Sequence, residues 1–142
     1  MELSRNILLV DDDFDDRELF VEALTLVDKN SQVTTLDGSE GLMSHLDKLE
    51  KLPDYVFLDL NMPRKSGKEC LREIQRTDRF RSMKIVIYST SINPRDVMET
   101  YEYGAFCFVQ KPNSFAELKN VIRKVINSTD KAKSLDDGFV VK

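Results

Sequence analysis

Short apolar runs alternate along the chain with longer segments in which apolar residues recur every three or four positions. Apolar runs of this length are typical of strands buried on both faces, and the recurring positions are typical of helices with one buried face. The pattern predicts five strands, each followed by a helix. The predicted strands cover residues 7–10, 33–36, 55–58, 85–88 and 106–109.

Residues with turn and capping preferences separate the predicted elements. The segment Asp37-Gly38-Ser39 is predicted to form the turn and cap before the second helix. Pro94 is suited to the first turn of the fourth helix, and Ser114 is predicted to cap the last one. These positions divide the chain into regularly repeated strand–helix units.

The strand–helix alternation predicts the class of fold. Apolar strands separated by amphipathic helices indicate an α/β protein with a parallel sheet covered on both faces. Because such connections are right-handed, only a few doubly wound arrangements remain. We expect one domain over residues 1–128 and a C-terminal tail over residues 129–142, with no output domain. The tail is expected either to be disordered or to pack through Phe139, Val140 and Val141 on a partner or a second copy.

Composition and charge narrow the classes of function. The chain has 21 basic and 25 acidic residues and a formal net charge of −4, which disfavours binding to nucleic acid through phosphate neutralisation. The two cysteines form no CxxC pair and the sequence has one histidine, so a zinc knuckle and a disulfide scaffold are excluded. No apolar run is long enough for a signal peptide or a membrane span. A cytoplasmic protein without a membrane partner is therefore expected.

Polar residues follow the predicted strands at the positions where the strands end. Three acids at positions 11–13 follow the first strand, Asp59 follows the third, Ser89 follows the fourth, and Lys111 lies just after the fifth. Ligands of open parallel sheets bind beyond the carboxyl ends of the strands, so we expect these side chains to meet at one edge. Further acids are predicted to be a solvated start of the first helix: Asp15, Asp16 and Glu18.

The carboxylates at this edge predict a divalent cation, because clustered negative charges repel one another unless a cation offsets them. Mg²⁺ binds one or two carboxylates together with water and a phosphate oxygen, which suits Asp11, Asp12 and Asp59. Lys111 and the hydroxyl of Ser89 could then contact phosphoryl oxygens. Phosphoryl transfer needs mainly positioning and charge neutralisation, and a carboxylate nucleophile would give an acyl phosphate. Taken singly, each residue could also be an ordinary strand-end or surface residue.

The residues at the strand ends, taken together, resemble the motifs of a known protein family. Over residues 5–127, the sequence is similar to a two-component response-regulator receiver domain of the single-domain, chemotaxis-regulator kind. The matching motifs are Leu8-Leu9-Val10-Asp11-Asp12, Leu58-Asp59-Leu60-Asn61-Met62-Pro63 with Gly67, Ser89, and Lys111-Pro112. The resemblance implies a flavodoxin-like (βα)5 fold with strand order 2-1-3-4-5. It also implies phosphorelay signal transduction in the cytoplasm of a bacterium.

The resemblance implies a role for each matching residue. Asp59 would accept a phosphoryl group from a sensor histidine kinase or a phosphotransfer protein. Asp11 and Asp12 would hold Mg²⁺ together with Asp59 and the backbone carbonyl of Asn61. Lys111 would pair with the phosphoryl group.

The same resemblance implies a conformational switch. Ser89 would move toward the phosphoryl oxygen, and Phe108 would swing inward when it does. The peptide bond between Lys111 and Pro112 would be cis, as a tight turn favours. A downstream protein target, which the sequence does not specify, would read the altered face.

Two other functions are alternatives to the phosphorylation switch. An aspartate-nucleophile phosphatase of the haloacid-dehalogenase type needs a second acid two residues after the nucleophile, where this chain has Asn61, so no such enzyme is expected. A degenerate receiver that binds its partner independently of phosphorylation remains the alternative. The sequence allows either a monomer or a homodimer.

Overall fold

Strands and helices alternate along the chain, as the hydrophobic pattern predicts. The computed structural model describes residues 5–128, 135 and 138–141. The strands are β1 (Asn6–Val10), β2 (Gln32–Leu36), β3 (Tyr55–Leu58), β4 (Lys84–Ser89), β5 (Cys107–Gln110) and β6 (Val140–Val141). The helices are α1 (Phe14–Val27), α2 (Leu42–Lys48), α3 (Gly67–Arg76), α4 (Pro94–Glu102) and α5 (Phe115–Ile126), with a 3-10 turn at Asp78–Phe80.

The strands form one parallel sheet in the order β2-β1-β3-β4-β5-β6. The expected doubly wound α/β fold and the order 2-1-3-4-5 are confirmed, and β6 adds a sixth strand beside β5. The chain moves outward from β1 to β2 and then crosses back to β3, so the strand order reverses between β1 and β3. A crevice for ligands opens at such a point, beyond the carboxyl ends of the two strands.

Two hydrophobic layers cover the sheet because successive strand residues point to opposite faces. Ile7 and Leu9 of β1 pack toward α1 and α5, where the core includes Phe20, Leu24, Val121 and Ile122. Leu8 and Val10 pack toward the opposite helices, where the core includes Leu42, Leu46, Leu71 and Ile74. Both faces of the central strands are therefore dry, and polar groups are confined to the strand ends.

Capping residues define where most of the helices begin. As predicted, Pro94 lies in the first turn of α4, after the cap residue Asn93, and the side chain of Ser114 caps α5 by accepting from the Glu117 amide. The predicted cap at Ser39 is wrong. A turn closed by the Leu42 amide on the Ser39 carbonyl (3.2 Å) separates Ser39 from α2, and the chain enters the helix through Gly41 at φ +80°. Glycine adopts this left-handed conformation at no steric cost.

The C-terminal tail contributes β6 to the sheet of its own chain. Phe139 is fully buried, and its carbonyl accepts a hydrogen bond from the Phe108 amide at 2.8 Å. The Phe139 ring also packs edge-on against Tyr101 of α4, with centroids 5.2 Å apart. The expectation that residues 139–141 are disordered is therefore wrong, and Phe139 packs within its own chain. Packing of Val140 and Val141 on a partner or a second copy stays a prediction. The rest of the tail that those expectations covered, apart from residues 135 and 138, lies outside the described residues.

A helix that crosses a bilayer needs about 20 consecutive, mostly apolar residues. Within the part of the chain that the structure describes, no helix is both long and apolar enough to cross a bilayer.

Burial of Phe139 predicts that the tail stabilises the domain. The substitution Phe139→Ala should lower the free energy of unfolding by about 3–5 kcal/mol, because it leaves a cavity between β5 and α4. Urea denaturation measures the change. Phe14→Ala is the matched control, because the Phe14 side chain is 62% exposed and its loss should cost at most about 0.5 kcal/mol. Equal stability of the two variants would show that the tail does not pack as described.

Candidate functional site

The register of the neighbouring strands β1 and β3 places two carboxylates side by side. Val10 and Leu58 are paired across β1 and β3, so the next residues, Asp11 and Asp59, leave the sheet together. The Asp59 amide donates to the Val10 carbonyl at 3.0 Å and continues the ladder beyond the strand. Both acids are buried, at 0% and 5% exposure, whereas Asp12 is exposed. The sheet thus forces two acids into a site that excludes most of the solvent.

A third carboxylate completes a potential cation site. Carboxylate oxygens of Asp11, Asp12 and Asp59 lie within 4.8 Å of one another. Oxygen donors with this charge are what a hard divalent cation such as Mg²⁺ requires. The loop after β3 is held close by the Asn61 amide, which donates to Asp59 Oδ1 at 3.3 Å. The residues present therefore fit the cation that the sequence predicts.

Gly67 explains how the loop after β3 can pass so close to the site. Its amide donates to the Leu60 carbonyl at 3.0 Å, which brings the start of α3 against the chain after β3. A Cβ atom at position 67 would overlap the backbone carbonyl of Asp59. Since backbone cannot yield as a flexible side chain does, only glycine allows this approach without moving Asp59.

Lys111 supplies a positive charge in contact with the carboxylates. Its ammonium lies 2.8 Å from Asp11 Oδ2 and 2.8 Å from Asp16 Oδ2, and 3.7 Å from Asp59 Oδ2. The contact with Asp16 is a hydrogen bond, whereas the contact with Asp11 is an ion pair whose angles do not make a hydrogen bond. The ammonium also lies 5.3 Å from the centre of the Tyr88 ring. Only 9% of the Lys111 side chain is exposed, so its ammonium interacts with the site rather than with solvent.

The expectation that Asp16 belongs to a solvated helix start is wrong. Its side chain is only 31% exposed and it binds the ammonium of Lys111, a residue 95 positions away in the sequence. One local signal for this contact exists in the sequence: Asp16 is the third residue of a helix whose cap, Asp13, follows β1. That signal places Asp16 near the sheet edge, but it does not identify its partner.

Burial and neighbouring charges shift the pKa values of Asp59 and Lys111. Burial raises the pKa of Asp59 from 3.8 to about 7; the positive charge of Lys111 opposes this shift and the negative charge of Asp11 adds to it. Burial alone would lower the pKa of Lys111, but its close contacts with the carboxylates of Asp11 and Asp16 and the negative charge of Asp59 outweigh it, so that pKa is raised. Lys111 therefore stays charged, whereas Asp59 needs a cation nearby to be fully ionised at neutral pH.

The predicted switch residues lie on the neighbouring strands. Ser89 is fully buried at the end of β4, where its hydroxyl accepts from the Ser91 amide at 3.4 Å and its carbonyl accepts from the Lys111 amide at 2.7 Å. Phe108 of β5 is fully buried in the same hydrophobic cluster as Phe139. The aromatic ring is therefore already inside the protein, and its predicted inward movement stays a prediction.

The expected cis bond between Lys111 and Pro112 is wrong. The described residues contain no cis peptide bond, so this bond is trans. Trans is the favoured isomer even before proline, by about 0.5–1 kcal/mol.

Comparison with known proteins identifies the family that this fold and site define. The model of the response regulator receiver domain matches residues 7–123. The chain therefore belongs to the response regulator receiver domain family, whose members act in two-component signalling. Receiver domains bind divalent metal ions and interact with histidine kinases or phosphotransfer proteins.

Sequence similarity to individual proteins supports this family assignment. Response regulator Rcp1 of Synechocystis sp. is 28% identical over 124 residues, which cover 84% of this chain and 84% of Rcp1. A protein-glutamate methylesterase/protein-glutamine glutaminase of Koribacter versatilis is 37% identical over 126 residues, but the match covers only 33% of that protein. The similarity is thus to a receiver domain shared by proteins of different activity.

Two solved structures resemble the fold over most of its length. The phosphorylated cyanobacterial phytochrome response regulator RcpA matches with a TM-score of 0.79 and 29% identity, over 87% of this chain and 91% of RcpA. The Mn²⁺-bound form of Rcp1 matches with a TM-score of 0.74 and 26% identity, over 92% of this chain and 99% of Rcp1.

The raised pKa of Asp59 predicts a pH-dependent stability. The unfolded chain releases this proton near pH 4, but the folded protein keeps it up to about pH 7, so the carboxyl makes the folded state less stable as pH rises through this window. In EDTA at pH 8, Asp59→Asn should raise the free energy of unfolding by roughly 1–3 kcal/mol, and at pH 4 by much less. Urea denaturation at both pH values measures the difference.

The control for this prediction is Asp78→Asn, because the Asp78 side chain is 90% exposed. Its effect on stability should be small and nearly independent of pH. The prediction fails if Asp59→Asn is no more stable than the unsubstituted protein at pH 8, or if Asp78→Asn shows the same gain.

Proposed function

We propose that this protein is a phosphorylation-dependent signalling switch, in which Asp59 accepts a phosphoryl group from a sensor histidine kinase or a phosphotransfer protein. One observation carries the proposal: a buried carboxylate, at the point where the strand order reverses, lies close to a lysine ammonium and to two further carboxylates. This arrangement provides a nucleophile, a fixed positive charge and a cation site, which are what transfer of a phosphoryl group requires. Membership of the receiver family supports the same function.

In the proposed transfer, a carboxylate oxygen of Asp59 attacks the phosphorus atom of the donor. The bond from phosphorus to the donor nitrogen breaks as the new phosphorus–oxygen bond forms, and the nitrogen leaves with the electron pair and takes up a proton. The product is an acyl phosphate on Asp59. The raised pKa of Asp59 means that the attacking anion depends on the positive charges around it.

Asp11, Asp12, Asp59 and the Asn61 carbonyl are the groups that would hold Mg²⁺. When bound, this ion would neutralise charge on the transferred group and favour the ionised form of Asp59. Lys111 would also neutralise charge on the transferred group, and its burial makes its charge more effective than that of an exposed lysine.

The conformational change that follows phosphorylation would be transmitted from the site through β4 and β5. Phosphorylation adds roughly −1.5 to −2 charges and new acceptor oxygens at Asp59. The buried hydroxyl of Ser89 lies at the end of the neighbouring strand, and its carbonyl is hydrogen-bonded to Lys111. Movement of Ser89 or Lys111 toward the phosphoryl group would therefore be passed to Phe108 and α4. A downstream protein would read the resulting change of surface.

The central prediction concerns covalent labelling. Incubation with acetyl phosphate and Mg²⁺ should add one phosphoryl group to the chain, and Asp59→Asn should abolish the addition, because an amide cannot serve as the nucleophile. Intact mass spectrometry measures the mass gain, and EDTA should suppress it.

The degenerate receiver predicts a different result. If the chain gains no phosphoryl group from acetyl phosphate or from a histidine kinase, and its partner binds equally well with and without a phosphodonor, the proposed function is wrong. Labelling of Asp59→Asn at an unchanged rate would equally remove Asp59 from its proposed role.

The cation site makes a separate prediction. Asp12→Asn should weaken Mg²⁺ binding by about tenfold or more, because an exposed carboxylate of the three-acid cluster loses its charge. Calorimetric titration with Mg²⁺ measures the affinity. Asp13→Asn is the matched control: Asp13 is the adjacent acid, it caps α1, and asparagine also serves well as a helix cap.

The two variants distinguish a direct ligand of Mg²⁺ from a long-range effect of negative charge. Both lose one negative charge at neighbouring positions, so a purely long-range effect would weaken Mg²⁺ binding equally. Equal affinities for the two variants would contradict the assignment of Asp12 as a ligand.

A further inference from the structure

Lys111 is shared between two carboxylates that are not the proposed phosphorylation site. Its ammonium is 2.8 Å from Asp11 Oδ2 and 2.8 Å from Asp16 Oδ2, but 3.7 Å from Asp59 Oδ2. The hydrogen bond of this ammonium is to Asp16. In the unphosphorylated protein, therefore, the lysine is held closer to α1 than to the acceptor.

The start of α1 fixes Asp16 in this position. The side chain of Asp13 caps the helix by accepting from the Asp16 amide at 2.9 Å, so the backbone of Asp16 is fixed one turn above the end of β1. Negative charge is favoured in the first turn of a helix, so a carboxylate is well placed at position 16. Asp16 is thus built into the site by the same segment that carries Asp11 and Asp12.

The geometry points to Asp16 as a positioning residue that holds Lys111 away from Asp59 and competes with the phosphoryl group for it. The inference rests on the proposed function, since the competing group is the phosphoryl group on Asp59. A phosphoryl oxygen on Asp59 would take a charge-assisted hydrogen bond from this ammonium, and the hydrogen bond that Asp16 already accepts from it competes with that contact. Asp16 therefore opposes the phosphorylated state.

Beryllofluoride, which mimics a phosphoryl group on a carboxylate, tests the competition. At saturating Mg²⁺, Asp16→Asn should bind beryllofluoride about threefold to tenfold more tightly than the unsubstituted protein, because Lys111 no longer has to leave a carboxylate. A ¹⁹F NMR titration measures the affinity.

Asp15→Asn is the matched control. Asp15 lies in the same helical turn and is exposed, and it is not among the partners of Lys111 in the described part of the chain. Both variants remove one negative charge, so general repulsion of the anion would act similarly in both. Asp16→Glu keeps the charge and should restore an affinity close to that of the unsubstituted protein. Asp16→Gln is a second neutral variant should Asp16→Asn fail to fold.

A direct readout of the lysine separates positioning from a merely structural role. In the unphosphorylated protein without Mg²⁺, the ¹⁵N resonance of the Lys111 ammonium should shift in Asp16→Asn and stay unchanged in Asp15→Asn. An unchanged resonance in Asp16→Asn would overturn the inference even if the protein proves not to be phosphorylated.

The outcomes also separate this inference from the proposed function. Failure of the unsubstituted protein to take up a phosphoryl group would overturn the proposed function. If it is phosphorylated, but Asp16→Asn binds beryllofluoride no more tightly than Asp15→Asn does, only the role of Asp16 is overturned.

Discussion

The site depends on a single buried ammonium among acids that the fold places together. Asp11 and Asp59 are almost wholly removed from solvent, and burying carboxylates so close to one another is costly unless positive charge offsets it. Lys111 provides that charge from the end of β5, with contacts to both acids and to Asp16. One ammonium cannot neutralise three or four carboxylates, so the site retains an excess of negative charge. That excess is what suits it to a divalent cation and makes the ionisation of Asp59 sensitive to its surroundings.

The sheet imposes this arrangement through its register. Because Val10 pairs with Leu58, the residues that follow them, Asp11 and Asp59, lie side by side at the end of the sheet. The close contact of Gly67 with the backbone of Asp59 holds the loop that follows Asp59 in place. Parallel strands buried on both faces have few ways to slip, because a shift of one residue would exchange the two hydrophobic layers. The chemistry at the strand ends is therefore as well determined as the core. On the far side of β5, Phe139 packs next to the predicted switch strand, so the tail shares the hydrophobic cluster that contains Phe108.

Features set by repeated local patterns could be predicted from the sequence. The strands, the doubly wound fold and the meeting of Asp11, Asp12, Asp59 and Lys111 follow from apolar periodicity and from what stands at each strand end. Features set by one contact between distant segments could not. The Asp16–Lys111 hydrogen bond joins residues 95 positions apart and depends on the direction of one side chain at a helix start. The packing of Phe139 depends on the space available beside β5, which the apolar residues 139–141 do not indicate by themselves. The start of α2 depends on the left-handed conformation of Gly41.

The most direct test of the account is to locate the phosphoryl group in the phosphorylated protein. Borohydride reduces an aspartyl phosphate to homoserine with release of phosphate, and peptide mass mapping then shows which position has changed. The account predicts homoserine at position 59 and nowhere else in the chain. Homoserine at position 11 or 12 instead, or a phosphoryl group that resists reduction and lies on a hydroxyl, would contradict it.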